Sequence, residues 1–208
     1  MNTKQRISFC VLLMCVVALN ASRNSLTTLN VHNGQQWGVW HAAQFCPEGQ
    51  FAYAYNMKIE GKQGDGDDTS LNGIQLYCGT HIATTTNSIT SGQGPWGDWK
   101  QTTRCTRTGD FLTAFSLQVE ANQGRGDDTA TNFVKFQCRG YFGEYELNQW
   151  PGHGLWGNFG EWSHSCPTNS AICGLRTKIE PNQGKGDDTA LNDVEFFCCQ
   201  FTNGTFST

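Results

Sequence analysis

Residues 60–72 read Glu-Gly-Lys-Gln-Gly-Asp-Gly-Asp-Asp-Thr-Ser-Leu-Asn, and the same frame returns at 120–132 and 180–192, each time 60 residues on. Eight of its positions (Glu, Gln, two Gly, two Asp, Thr and Asn) are identical in all three copies. A chain built this way has to fold as three equivalent units, because copies of one sequence meet the same local rules. The flanks follow the same plan. Trp37-Gly38-Val39-Trp40 corresponds to Trp96-Gly97-Asp98-Trp99 and, more loosely, to Trp156-Gly157-Asn158-Phe159.

The residues between these markers alternate with period two. Phe51, Tyr53, Tyr55, Met57 and Ile59 share one phase, as do Phe111, Phe115, Leu117 and Val119, then Ala171, Cys173, Leu175 and Ile179. After the motif, Ile74, Leu76 and Cys78 alternate in the same manner, and so do Val134, Phe136 and Cys138, then Val194, Phe196 and Cys198. Such alternation predicts half-buried antiparallel strands on either side of a Gly- and Asp-rich turn. One unit has room for about four strands of ~5–6 residues, too few to cover its own apolar face. Three units covering one another around a pseudo-threefold axis predict an all-β triangular prism, since a propeller needs at least four blades.

Composition agrees with a packed β fold. The chain of 208 residues holds 24 Gly but five Pro and no Gly-X-Y period, with 12% aromatic and 15% charged residues. That excludes a helical bundle and a natively unfolded chain. A net charge of −4 excludes a basic surface for nucleic acid.

Lys4 and Arg6, an apolar run over 7–19 and the small Ala21 follow the order of a secretory signal peptide. The run is too short for a membrane span, which takes ~20 residues. A leader over 1–21 and a single domain over 22–208 are therefore expected, with no membrane insertion once the leader is removed. Cleavage takes Cys10 and Cys15 with it and leaves eight cysteines bound for an oxidising compartment. Eight cysteines allow 105 connectivities, and the repeat narrows them. Pairing within units gives Cys46–Cys78, Cys105–Cys138 and Cys166–Cys198, which leaves Cys173–Cys199. Strand parity puts Cys198 and Cys199 on opposite faces, so a different pairing within the third unit stays open. Asn203-Gly204-Thr205 is an acceptor sequon for N-glycosylation.

Together the thrice-repeated Gln-Gly-x-Gly-Asp-Asp-Thr-x-x-Asn, the Trp-Gly-x-Trp motifs and the cysteine frame resemble the vitelline membrane outer layer protein I family over residues 31–201. The resemblance implies a β-prism of three antiparallel Greek-key sheets, secretion, residence in an egg coat or comparable layer, and association with extracellular glycoproteins or glycans. It also implies weak oligosaccharide-transferring behaviour.

The chemistry of the repeated motif has a structural and a functional reading. Its glycines supply positive φ and its Asp, Thr and Asn side chains cap tight turns, which makes Asp67, Asp68, Asp127, Asp128, Asp187 and Asp188 turn residues. A calcium loop is disfavoured, because Arg125 and Lys185 replace Asp65 in the later copies and no glutamate follows at the twelfth position. A phosphate loop is disfavoured too, since no helix follows and the aspartates repel an anion. The histidines lack zinc spacing. Neither a metal nor a cofactor is expected.

Glu60, Glu120 and Glu180 lie on the polar phase of their strands beside these turns, as groove-lining ligand contacts or as acceptors for the motif's own amides. The unrepeated Glu144, Glu146 and Glu161 are alternative carboxylates. Trp37, Trp96 and Trp156 read as sugar platforms or as packing against disulfides. Trp150, unrepeated and beside Pro151-Gly152, is the better candidate for an exposed binding aromatic. Two functions follow: a coat component that binds glycoproteins or glycans without turnover, or a weak glycosidase or transglycosylase acting on N-acetylglucosamine oligosaccharides.

Overall fold

The computed structural model describes residues 23–62, 70–120, 131–182 and 189–201. The expected leader over 1–21, the expected turn residues Asp67, Asp68, Asp127, Asp128, Asp187 and Asp188, and the sequon at Asn203 lie outside the described residues. Within them, every regular element is a strand, and no helix is long and apolar enough to cross a membrane.

The strands are β1 (Thr27–Leu29), β2 (Val39–Trp40), β3 (Gln44–Phe45), β4 (Phe51–Ile59), β5 (Leu71–Gly79) and β6 (Thr84–Thr90). Then come β7 (Asp98–Trp99), β8 (Thr103–Arg104), β9 (Phe111–Val119), β10 (Thr131–Gly140) and β11 (Gly143–Leu147). The last are β12 (Asn158–Phe159), β13 (Ser170–Ile179) and β14 (Leu191–Gln200). They form three antiparallel sheets in the orders β6-β5-β4-β7, β11-β10-β9-β12 and β1-β14-β13-β2, with β8 also pairing β4 and β3 pairing β13. The first two orders are those of a Greek key, the fourth strand lying beside the first, and the third repeats that layout with β1 and β2 standing in the third and fourth places. The fold is the β-prism expected from the repeat.

A sequence repeat is not a sheet, however. The Trp-Gly-x-Trp strand of each copy pairs with the hairpin of the preceding copy: β7 on β4, β12 on β9, and β2 on β13. The glycines of these motifs explain the choice. Gly97, Gly157 and Gly38 have φ of +75°, +75° and +83°, and a Cβ on them would collide with the backbone at Ile59–Glu60, Val119–Glu120 and Ile179–Glu180. With β1 in the place of a third strand, the N-terminal segment closes the third sheet and completes the ring.

The single apolar phase read along each first strand is corrected by a bulge. Tyr53, Thr113 and Cys173 have no register partner, so the pairing slips by one residue at each. A slip of one residue exchanges the two faces of a strand. The central core therefore takes Ala52, Leu112 and Ile172 together with Tyr55, Phe115 and Leu175. Phe51, Phe111, Ala171 and Cys173 go instead to a second cluster with Cys199. A second bulge in each hairpin falls on Asn72, Asn132 and Asn192, the last residue of each motif copy. At the centre, rings from all three sheets meet: Tyr55 and Phe136 at 4.6 Å, Phe136 and Phe196 at 5.1 Å, and Phe115 and Phe196 at 4.7 Å.

Disulfides join Cys46 to Cys78, Cys105 to Cys138, Cys166 to Cys198 and Cys173 to Cys199. Cys46 follows β3 on the third sheet and Cys78 lies in β5 of the first, so their bridge spans two sheets. Cys105–Cys138 and Cys166–Cys198 span the other two seams in the same way, whereas Cys173–Cys199 stays within the β13–β14 hairpin.

Candidate binding site at the open seam

In each sheet the loop that runs from the outer edge strand back to the Trp-Gly strand (residues 30–38, 91–97 and 148–157) crosses a seam of the prism and bonds to the neighbouring sheet. At one, the Ser91 hydroxyl donates to Ala42 O (3.0 Å) and accepts from the Thr177 amide (3.2 Å), while the Thr177 hydroxyl donates to Gly92 O (2.7 Å). At another, the Asn33 amide group donates to Leu117 O (2.9 Å) and that of Gln35 to Glu120 O (3.3 Å).

The third seam is different because its loop is longer. Ile89 and Leu147 occupy the same place in their sheets, opposite Leu76 and Phe136, yet Trp156 follows Leu147 by two residues more than Trp96 follows Ile89. The extra length is taken up by Gln149-Trp150-Pro151-Gly152, with a cis peptide at Trp150–Pro151 and Gly152 at φ +90°. The Gln149 amide donates to the buried Tyr55 hydroxyl at 3.0 Å, and Gly154 N donates to the Gln118 side chain at 2.7 Å. The loop stands off the first sheet and leaves a cavity of about 680 Å³.

Met57, Ile59, Phe133 and Leu155 supply its apolar walls, and Glu60, Ser70, Lys100, Thr102, Thr103, Gln149 and His153 its polar groups. Trp150 stands on its rim, 90% exposed. Gln149 is only 3% exposed, and its Oε1 has no hydrogen-bond partner among the described residues. Burial pushes the Tyr55 hydroxyl far above its ordinary range, so it stays a neutral anchor for the loop. Among the described lining residues Glu60 is the one carboxylate, whereas the usual routes of glycoside hydrolysis take two. No cluster of His, Cys, Asp or Glu that could hold a metal exists among the described residues.

Of the residues singled out in the sequence, Trp150 and Glu60 reach this cavity together. Glu120 and Glu180 lie at the corresponding ends of the other hairpins, away from it. Glu180 accepts from the Thr189 hydroxyl (2.5 Å) and amide (3.3 Å), which is the turn-capping role. Glu144 and Glu146 pair with Arg139 (2.6 Å) and Lys135 (3.1 Å). Trp37 is 52% exposed and Trp99 37%; neither lines the cavity. Sequence reasoning missed Gln149, Lys100, Thr102, Thr103 and Phe133. The available signals were the longer loop and Phe133 itself, which replaces Gly73 and Asp193 of the other copies.

Residues 27–201 match the family model of vitelline membrane outer layer protein I. A vitelline membrane outer layer protein 1 homolog from Homo sapiens is 45% identical over 181 residues, covering 86% of either chain. A Mus musculus homolog of the same name is 45% identical over 174 residues, covering 82% of either chain. Among solved structures, Calsepa lectin in complex with a biantennary N-glycan superposes with a TM-score of 0.51 at 13% identity, over 86% of this chain and 99% of its own. A prostate-specific WGA16 glycoprotein lectin superposes with a TM-score of 0.50 at 9% identity, over 83% and 98%. At such identities the likeness is one of fold.

Proposed function

The chain belongs to the vitelline membrane outer layer protein I family, and from that premise we propose that it is a secreted, disulfide-stapled structural component of an egg-coat-like extracellular layer, which holds glycans of neighbouring glycoproteins at its open seam. The leader is removed and residues 22–208 act as one domain.

The cavity beneath Trp150 carries this reading. A sugar ring offers an apolar face of C–H groups and a rim of hydroxyls. An exposed indole beside a half-polar cleft suits both, the ring stacking and the polar groups bonding. A buried acceptor left without a partner costs about 1–3 kcal/mol. A sugar hydroxyl donating to Gln149 Oε1 removes that cost. Fold alone does not give function, but a lectin of this fold solved with an N-glycan supports the same ligand class here. Eight cysteines closed as four bridges suit an oxidising compartment.

The test is a glycan array probed with the secreted chain and with Trp150→Ala. Binding to N-glycans or chito-oligosaccharides that drops at least tenfold in the variant supports the reading. Equal signals from both proteins overturn it.

A further inference from the structure

The opposite end of the strands carries the bulged residues Tyr53, Thr113 and Cys173, and the three equivalent spaces are filled differently. Tyr53 lays its ring against Gly79, where a Cβ would sit 2.9 Å from ring carbon Cδ1, and its hydroxyl donates to Thr85 O at 3.3 Å. Cys173 fills its space through the bridge to Cys199. Thr113 brings neither a ring nor a bridge, and beside it opens a second cavity of about 490 Å³ between β9–β10 and the start of β13.

Thr113 is 1% exposed, and its Oγ1 has no hydrogen-bond partner among the described residues. Phe111, Ala171 and Phe201 give the cavity apolar walls, and Tyr141, 87% exposed, stands at its mouth. The charge in the wall is already spent. Arg139 pairs with Glu144 at 2.6 Å and donates to Cys166 O at 2.8 Å and Pro167 O at 3.1 Å. A site with a saturated guanidinium has little to offer an anion. A buried unused hydroxyl and a free aromatic face instead fit a neutral polyhydroxylated ring.

We infer that this cavity is a second carbohydrate site, taking a neutral sugar residue whose hydroxyl bonds Thr113 and whose ring face lies on Tyr141, so that one chain grips glycans at both ends of the prism. The inference shares its ligand class with the reading above but rests on its own walls.

Isothermal titration of the secreted chain with an asialo biantennary N-glycan in excess separates the two. Two equivalents are expected for the wild type and one for Trp150→Ala. Thr113→Tyr, which copies Tyr53, retains one equivalent. Tyr141→Ala, on an exposed residue that the fold does not need, weakens one site at least tenfold at an unchanged melting temperature. The second site is overturned if Trp150→Ala alone abolishes all binding while Thr113→Tyr and Tyr141→Ala bind like the wild type; the open-seam reading then stands. Loss of all binding in Thr113→Tyr with none in Trp150→Ala overturns the open seam and leaves the second site standing. A wild type that binds nothing overturns both.

Discussion

The amide of Cys105 donates to the carbonyl of Tyr53 over 2.9 Å, so the half-cystine of one seam is hung on the bulged residue of the sheet it leaves. The same bond ties Cys46 to Cys173 and Cys166 to Thr113, each at 2.8 Å. The bulge thus does two things at once. It switches strand parity, and it aims a free carbonyl at the segment that carries the staple across to the next sheet. Removing a staple with Cys105→Ser and Cys138→Ser is expected to cost about 2–5 kcal/mol. Removing Cys173–Cys199, whose loop is of similar length, should lower stability by a like amount. Hydrogen exchange tells them apart: only the first pair of changes should speed exchange in both β5–β4 and β10–β9, on either side of one seam. Identical exchange maps would count against a cross-seam role.

Gly97 tolerates no side chain. Its positive φ costs an L-residue about 1–2 kcal/mol, and a Cβ would also collide with the backbone of Ile59 and Glu60. Gly97→Ala should cost about 2 kcal/mol or more and lower the melting temperature by about 5 °C or more. Gly49→Ala is the control, since it shares a positive φ of +74° but meets nothing within 4 Å. Equal losses in the two variants would remove the packing argument.

Asp193 sits under the crossing loop at Gly34. Burial pushes its carboxyl up to about 6; Glu195 adds to the rise, and the Val194 amide and Lys178 oppose it. The folded chain therefore holds this proton more tightly than the unfolded chain, whose carboxylate titrates near ~4. Its contribution to stability should grow as pH falls through about 6 and level off below about 4, and should be lost above about 6. Urea midpoints at pH 7.5 and 5 measure this. The gain on acidification should be smaller in Asp193→Asn, and an equal gain would reject the assignment.

Gln149 should matter through its oxygen. Gln149→Leu keeps the size of the side chain and removes the unpartnered acceptor, so it is expected to preserve or raise the melting temperature while weakening glycan binding about tenfold. Unchanged binding would mean that Trp150 holds its ligand without this residue.

The periodic part of the structure was legible in the sequence because it is written three times. The 60-residue spacing placed the hairpins, and the cysteine frame matched Cys46 with Cys78 and its two counterparts. What stayed hidden is what periodicity cannot express. The bulges at Tyr53, Thr113 and Cys173 leave no mark in an alternating pattern beyond apolar residues in the opposite phase, Ala52, Leu112 and Ile172. The exchange of Trp-Gly strands between neighbouring copies follows from backbone contact at Gly38, Gly97 and Gly157, which is non-local. The cavities arise where the second copy and the loop that follows it depart from the others, at Thr113, Phe133 and Gln149. Trp150 stood out as an unrepeated aromatic beside Pro151-Gly152; Gln149, next to it, carries no chemical signature until its buried oxygen is seen.

Whether the seam opened by the longer loop is where the chain holds sugar is best decided by backbone amide NMR of the chain titrated with an asialo biantennary N-glycan. Saturable shifts are expected at Met57, Ile59, Lys100, Thr103, Gln149 and His153, and they should be lost in Trp150→Ala. Binding that leaves these amides unmoved, with shifts gathered instead around Trp37 or Trp99, would refute the open seam as the sugar site.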